Sequence, residues 1–444
     1  MDDSISSRAR QRLQTQQPPE TPLTPQTVPT LHQPRIYWLT EGYFPPQLGG
    51  LELMAACLSE GLAARGLQVD VITRQTAVPC ANEEDIRGVH IRRIRPAGVL
   101  KGIGWRALPA ILGYLARLAY ILLREARRYD VVIVSGIKVI PLVAVPLALL
   151  LKKRCIIRVE STAELREPLS AESVSAMSLF GRLLHPISER CQRLMLSHAD
   201  RVIATSGELQ ELTLEAGVPA GRISMIANAV DLQRFHPVSA QEKARLRRQL
   251  QLPRNATLVL FAARLSRAKG IDLLVRAWPE IVAHHSELCL VIVGSGSASF
   301  DDCEQELAEL IQMSGLGGTR VLMVGASRHV EQYLQAADLY ILPSEYEGFG
   351  VGVIEALATE IPVLATPVGV VPQLIHDGDN GFVFAPRDQR ALVEAVDSAL
   401  AARPRWPHIV RRAREAVTCM DVSAIVQQYV QLCLDVMPRT GRPS

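Results

Sequence analysis

The sequence predicts an α/β protein built from two doubly wound parallel sheets, one in each of two successive domains. Short apolar runs such as 130–135, 154–159 and 288–294 are typical of buried strands, and helical patterns separate them. Strands that alternate with helices pair in parallel, so each series is expected to form a sheet with helices on both faces. A chain of 444 residues exceeds the usual single hydrophobic core, which favours two domains.

Composition indicates a soluble globular protein. Hydrophobic residues make up 48% of the chain and charged residues 21%. The 8 cysteines form no CxxC pair and no Cys/His cluster with metal-ligand spacing, which predicts reduced thiols and a cytoplasmic chain. Nothing at the N-terminus resembles a signal peptide.

Changes in composition along the chain, together with prolines and glycines at the ends of elements, indicate the domain organisation. Residues 1–34, rich in Gln, Pro, Thr and Ser, predict a disordered tail. The first domain covers 35–235; it opens on a strand, a glycine loop and a helix, and its basic segment around HIRRIRP looks irregular. The second domain covers 236–418, and a C-terminal helix lies in 419–444.

The segment 343–357 has the strongest functional pattern. The segment directly follows a buried strand. It contains a loop with Gly348 and Gly350 and then the start of a helix. Backbone N–H groups at a helix N-terminus hold phosphate, and glycines allow its close approach. Glu355 on the helix is suited to accept both hydroxyls of a ribose. The alternative, an ordinary surface loop, remains open at this point.

Cations suited to a diphosphate follow the strand 257–263. Arg264 and Lys269 lie on one strand-to-helix loop and could hold a diphosphate between them. The alternative to diphosphate binding is that both charges are simply solvated. Two successive doubly wound domains predict a ligand in a cleft between them, against the carboxyl ends of the strands. The D-x-D spacing at 377–379 is typical of some metal sites, but its Gly/Asn-rich context favours a turn.

Five segments together resemble family 4 of the retaining GT-B glycosyltransferases, also called glycosyl transferases group 1. The resemblance implies two Rossmann-like domains that face a cleft, and a final helix that crosses back to the first domain. It covers about 35–437 and is stronger in the second domain. The matching segments are 44–52, 227–235, 263–270, 343–369 and 377–384.

The resemblance also implies a role for each matching residue. The donor would be a UDP-sugar or GDP-sugar, and the acceptor a glycan or a lipid-linked molecule, with no metal, cofactor or nucleic acid. Arg264 and Lys269 would neutralise the diphosphate, and Glu347 would lie by the transferred sugar, a hexose. The other implied contacts with the donor are made by Gly50, Phe349, Gly350, Val351 and Glu355.

The chain departs from this family where a histidine often follows the strand 154–159. Glu160, Ser161 and Thr162 stand there instead. Glu160 is expected either to bind sugar or acceptor hydroxyls or to pair with Arg158 or Arg166; we favour positioning by Glu160 and Ser161. Two alternatives to a transferase remain: a catalytically silent GT-B partner protein, and a sugar-nucleotide epimerase.

A basic, apolar region of the first domain predicts contact with an anionic membrane surface. The segment 108–128 is basic and amphipathic, and an apolar run ending in Lys152, Lys153 and Arg154 is too short to span a bilayer. This pattern indicates a cytoplasmic protein that docks peripherally on the inner face of the membrane. The alternative is that both segments are core helices with solvated charges.

Overall fold

Two compact units make up the described part of the chain. The computed structural model describes residues 33–45, 49–75, 80–95, 108–162, 165, 179–296 and 302–438. The first unit contains the described residues up to Ala229 and those from Val422 onward, and the second is Val230–Asp421. The predicted tail, apart from its last two residues, lies outside the described residues.

The unit boundaries fall at 229/230 and 421/422, whereas the sequence pattern predicts them at 235/236 and 418/419. Val230 donates its backbone N–H to the carbonyl oxygen of Met420 at 2.9 Å and pairs in a parallel bridge with Asp421. The linker from Val230 onward is therefore hydrogen-bonded within the second unit.

The first unit contains an eight-stranded sheet in the order β3-β4-β2-β1-β5-β6-β7-β8. All neighbouring strands are parallel except β3 and β4, which are antiparallel. The central strands are buried and largely apolar because helices cover both faces. The strands are β1 Ile36–Thr40, β2 Val69–Arg74, β3 Glu83–Ile86, β4 Val89–Ile94, β5 Val131–Ser135, β6 Arg154–Val159, β7 Arg201–Ala204 and β8 Ile223–Met225.

Helices flank this sheet, and the last helix of the chain is one of them. It packs on the first helix, and its Tyr429 stacks on Trp38 of β1 with ring centroids 5.9 Å apart. The helices are α1 Gly50–Ala64, α2 Leu108–Arg124, α3 Pro141–Leu150, α4 Leu179–His198, α5 Gly207–Glu215 and, at the C-terminus, α14 Val422–Val436.

Most of the basic segment around HIRRIRP belongs to the strand β4, Val89–Ile94, and is not irregular, which corrects the prediction. Val89 and Ile91 of β4 are buried while His90 and Arg92 are partly exposed, so apolar residues alternate along the strand. The edge strand β3 supplies the carboxylate of Glu83 to Arg92 at 3.2 Å. Paired charges allow this cationic strand to join the sheet.

The second unit has a six-stranded parallel sheet in the order β11-β10-β9-β12-β13-β14. The prediction of two doubly wound α/β domains is therefore confirmed. Its strands are β9 Thr257–Ala262, β10 Leu288–Val293, β11 Val321–Gly325, β12 Leu339–Leu342, β13 Val363–Ala365 and β14 Phe382–Val383. Its helices are α6 Ala240–Gln249, α7 Ile271–His284, α8 Glu304–Ser314, α9 Val330–Ala336, α10 Val351–Ala358, α11 Val371–Leu374, α12 Gln389–Ala401 and α13 Trp406–Val417.

Two other features of the sequence have structural counterparts. All eight cysteines are free thiols, and five of them lie in the first unit. Within the described ranges, no helix combines the length and the apolar character that crossing a membrane requires.

Candidate active site

The loops that follow β9 and β12 bring Lys269 and Glu347 together. These two strands are neighbours in the sheet, so their carboxyl ends open side by side. Lys269 Nζ lies 2.6 Å from Glu347 Oε1, and both side chains are largely buried. Ser344 Oγ donates a second hydrogen bond to the same carboxylate oxygen at 2.8 Å. Glu347 is thus held by two donors, while Lys269 keeps two further N–H groups for a ligand.

Direct backbone contacts fix the two loops against each other. Gly270 has a positive φ of 67°, and a Cβ on it would lie 2.0 Å from the carbonyl oxygen of Pro343, so only glycine fits. Glu345 donates its backbone N–H to the oxygen of Ala268 at 2.9 Å. The Lys269–Glu347 contact is therefore set by the backbone and not only by two flexible side chains.

Arg264 is an exposed cation at the carboxyl end of β9. Its guanidinium forms no ion pair with any described carboxylate. Most other arginines of the second unit are paired, as in the Arg267–Glu306 and Arg234–Glu331 bridges. Arg264 is accordingly placed to meet an anion.

The N-terminus of α10 presents backbone N–H groups beside this loop. Gly350 precedes the helix with φ of 96°, a conformation that glycine adopts without strain. The first N–H groups, including that of Val351, have no carbonyl partner within a helix. Gly369 allows the next loop to pack there: a Cβ on it would lie 2.5 Å from the oxygen of Phe349. The arrangement suits a bound phosphate.

Glu355 lies one turn into α10 and is largely buried. Burial raises the pKa of its carboxyl group to about 7; the charge of Arg234 lowers it and that of Glu331 raises it. No hydrogen bond links this carboxylate to a described side chain. A buried carboxyl group without a partner is suited to accept hydroxyl donors from a ligand.

The other predicted residues belong to the first unit. Gly50 begins α1, and a Cβ on it would meet no atom within 4 Å, so the protein itself does not require glycine there. Glu160 pairs with Arg158, a fully buried guanidinium that also donates to Asn228. Of the alternatives for Glu160, the structure shows the ion pair with Arg158. Burial raises the pKa of Glu160, and Arg158 opposes this shift.

Sequence reasoning missed Ser344 and Gly369. Both lie inside the segment 343–369 that carried the family resemblance, but neither was given a role. The D-x-D at 377–379 is a turn, as predicted: Asp377 accepts the N–H of Val383 at 2.9 Å and Asp379 pairs with Arg412 at 2.7 Å. Across the part of the chain that the structure describes, no three His, Cys, Asp or Glu side chains cluster as a metal site.

A mixed apolar and basic surface covers the outer side of α2 and α3, two helices that pack together. Their inner sides belong to the core of the first unit. Neither helix contains an acidic residue. We call this surface the apolar–basic face; its exposed residues are Leu112, Arg117, Tyr120, Leu123 and Arg124 of α2, Leu142, Leu149 and Leu150 of α3, and Lys152.

Comparison with known proteins assigns the class. The family model described as "Glycosyl transferase 4-like domain" matches residues 49–229, and the model described as "Glycosyl transferases group 1" matches residues 242–416. The sucrose-phosphate synthase of Thermosynechococcus elongatus superposes with a TM-score of 0.74 at 25% identity, covering 90% of this chain and 99% of that one. The Anabaena HepE protein in complex with UDP gives 0.70 at 22%, covering 90% and 100%. The fold is therefore GT-B.

Sequence relatives complete the assignment. The D-inositol 3-phosphate glycosyltransferase of Nocardioides sp. is 30% identical over 375 residues, which span 78% of this chain and 77% of that protein. An uncharacterized glycosyltransferase of Methanocaldococcus jannaschii is 27% identical over 392 residues, or 86% and 93%. The chain belongs to the GT-B glycosyltransferases.

Proposed function

We propose that this enzyme transfers a hexose from a UDP-sugar or GDP-sugar to a glycan or lipid-linked acceptor, with retention at the anomeric carbon, as a family 4 enzyme. The observation that carries the proposal is the Lys269–Glu347 pair, fixed by the backbone beside the unpaired Arg264. The HepE protein has been solved with UDP and with UDP-glucose, which supports a nucleotide-sugar donor.

The proposed chemistry uses the charges of the second unit. The bond between the anomeric carbon and the diphosphate oxygen breaks, and Arg264 and Lys269 offset the negative charge that develops. The acceptor oxygen bonds to the anomeric carbon on the same face, and its proton passes to the departing phosphate. The donor is held by the N–H groups of Phe349, Gly350 and Val351, and Glu355 accepts the ribose hydroxyls.

The remaining predicted residues have positioning roles in this proposal. Glu347 lies beside the transferred sugar, and Gly50 leaves room for the donor phosphates. Glu160 and Ser161 follow β6 at its carboxyl end and help to position the sugar or the acceptor. The mechanism assigns no step to a metal ion, because the two cations already supply positive charge to the diphosphate.

The test is to incubate the enzyme with labelled UDP- and GDP-hexoses and a lipid and glycan extract. We expect a product whose anomeric configuration, read by NMR, equals that of the donor. A donor-only reaction serves as the control, since an epimerase turns over its donor without acceptor. Protection by the nucleotide sugar against thermal unfolding, with no transfer to any acceptor, would indicate a silent partner protein instead.

We also propose that the apolar–basic face docks on an anionic membrane surface. Tyr120 and Leu150 are 57% and 71% exposed there, so the core of the first unit covers neither side chain. Arg117, Tyr120 and Arg124 also line a groove of about 270 Å³, in which the two lining glutamates, Glu83 and Glu125, are both paired with Arg92. Exposed apolar side chains among cations, on helices without acidic residues, complement anionic lipid.

Flotation with anionic and neutral vesicles measures this docking. We expect binding to anionic vesicles at low salt, and at least a tenfold loss in the Leu149→Glu/Leu150→Glu variant, because like charges repel and apolar contact is lost. Met313→Glu, at an exposed apolar residue of the second unit, is the matched control and should float as the wild type does. The absence of anionic-vesicle binding at low salt would leave only the core-helix explanation.

A further inference from the structure

Two buried polar groups without partners lie in the first unit, and neither has a role in the proposed transfer reaction. Arg74 is the last residue of β2, and its Nε and Nη1 atoms are buried. The hydroxyl of Tyr114, on α2, is buried in a side chain that is only 2% exposed. Among the described residues, none of these three atoms has a hydrogen-bond partner.

Both groups lie on one face of the sheet, at its carboxyl edge. Tyr114 packs in the same core cluster as Ile72 of β2 and Leu39 of β1. Side chains alternate along a strand, so Arg74 projects from the same face as Ile72. Glu41 lies just beyond the end of β1 and two residues after Leu39, so the same alternation places it on this face.

The charges of Glu41 and Arg74 both affect the pKa of the Tyr114 hydroxyl, in agreement with their place on one face of the sheet. Burial raises the pKa of the Tyr114 hydroxyl, the charge of Glu41 adds to the rise, and the charge of Arg74 opposes it. Tyr114 therefore remains protonated and is a hydrogen-bond donor. Neither Arg74 nor Glu41 forms an ion pair with the described residues around it, so this corner holds an unpaired cation, a free donor and a carboxylate.

Such an arrangement is costly in the absence of a ligand. A buried donor without an acceptor loses its hydrogen bonds to water and gains nothing in return. Arg74 cannot escape the penalty by losing its proton, because a guanidinium stays charged at any physiological pH. The penalty is removed when a ligand brings anionic oxygen atoms to this corner.

We propose that Arg74 and Tyr114 bind an anionic group of the acceptor, a phosphate or a carboxylate, while Glu41 accepts a hydroxyl group next to it. The planar guanidinium offers two N–H donors to such an anion. Glu41 would repel a ligand that was anionic throughout, so the ligand also carries hydroxyl groups. This inference rests on the proposed function: it assigns the acceptor to phosphorylated or carboxylated polyols, free or lipid-linked.

Thermal unfolding tests the site without any need for turnover. The probes are inorganic phosphate, glucose 6-phosphate, glucose, and vesicles that contain a polyprenyl phosphate. The variants are Arg74→Gln and Tyr114→Phe, each also made with Lys269→Ala, which weakens anion binding in the second unit. Tyr129→Phe is the matched control, because this equally buried tyrosine donates to the oxygen of Leu122 at 3.0 Å.

We expect opposite effects on the free and the ligand-bound protein. Tyr114→Phe removes an unsatisfied hydroxyl, so the Tm of the free protein should rise by about 2–4 °C, whereas Tyr129→Phe should lower it. The Tm shift with glucose 6-phosphate should fall by more than half in Arg74→Gln and in Tyr114→Phe, with Lys269 either present or replaced. Glucose alone should give no shift.

Two outcomes would overturn the proposal: a glucose 6-phosphate shift that both variants retain, or an equal shift with glucose. A response to vesicles only, and not to the soluble phosphate, identifies a lipid-linked anion, and the reverse identifies a free one. Failure of the proposed transferase function appears separately, as a lack of sugar transfer by a protein whose Arg74-dependent shift is intact.

Discussion

Replacing Lys269 by alanine is expected to lower kcat/KM for the donor by about 10- to 150-fold. A hydrogen bond to a charged group contributes about 1.5–3 kcal/mol, and this lysine meets charge that grows as the diphosphate departs. The loss should appear mainly in kcat, because the interaction strengthens in the transition state. Steady-state kinetics with the identified donor and acceptor measure it.

The design includes a matched control and a double-mutant cycle. Lys243 forms an ion pair with Asp338 at 2.7 Å elsewhere in the second unit, so Lys243→Ala should change stability and leave kcat almost unchanged. Lys269→Ala and Glu347→Gln should be strongly non-additive, because Nζ and Oε1 are in direct contact. Unchanged transfer kinetics in Lys269→Ala would exclude the assignment of this loop to the diphosphate.

Glu355→Gln is expected to remove a pH dependence of both stability and donor binding. Folding raises the pKa of Glu355 from 4.5 to about 7 because the carboxyl group is buried. The carboxyl group of Glu355 makes its full favourable contribution to the free energy of unfolding below about pH 4.5, and this contribution is lost as the pH rises through about 7. At pH 8 the variant should therefore be more stable than the wild type, by at most about 3 kcal/mol.

Donor binding should follow the opposite trend. An ionised carboxylate accepts both ribose hydroxyls, so the wild-type KM should fall as the pH rises through about 7, while Glu355→Gln keeps a KM about tenfold higher and independent of pH. Urea unfolding and kinetics between pH 5 and pH 8.5 measure both effects. The exposed Glu394→Gln is the control. A wild-type pH profile in Glu355→Gln would contradict the ribose role.

The sequence predicted the sheets better than it predicted the site. Apolar runs marked β5, β6 and β10 almost to the residue, because buried parallel strands are largely apolar. The contact between Lys269 and Glu347 was not predictable in the same way. It depends on β9 and β12 being neighbours in the sheet, and strand order leaves no trace in local residue patterns.

The misjudged parts of the sequence share a physical cause. The strand β4 looked irregular because its arginines hid the alternation of Val89 and Ile91, and the partners that neutralise them come from other segments. The partner of Glu160 was left open for the same reason: Arg158 is two residues away along an extended strand, and only the burial of both groups decides in favour of the pair.

The return of α14 to the first unit has a consequence for how the protein is made. Trp38 emerges from the ribosome early, but Tyr429, on which it stacks, emerges only after the whole of Val230–Asp421. At about 5–20 residues per second, the second unit takes roughly 10–40 s to synthesise. During this interval the nascent first unit exposes an apolar surface on α1 and β1 that α14 later covers. Chaperones are therefore expected to bind this surface on the nascent chain, and a stop codon before Val422 would leave it uncovered permanently.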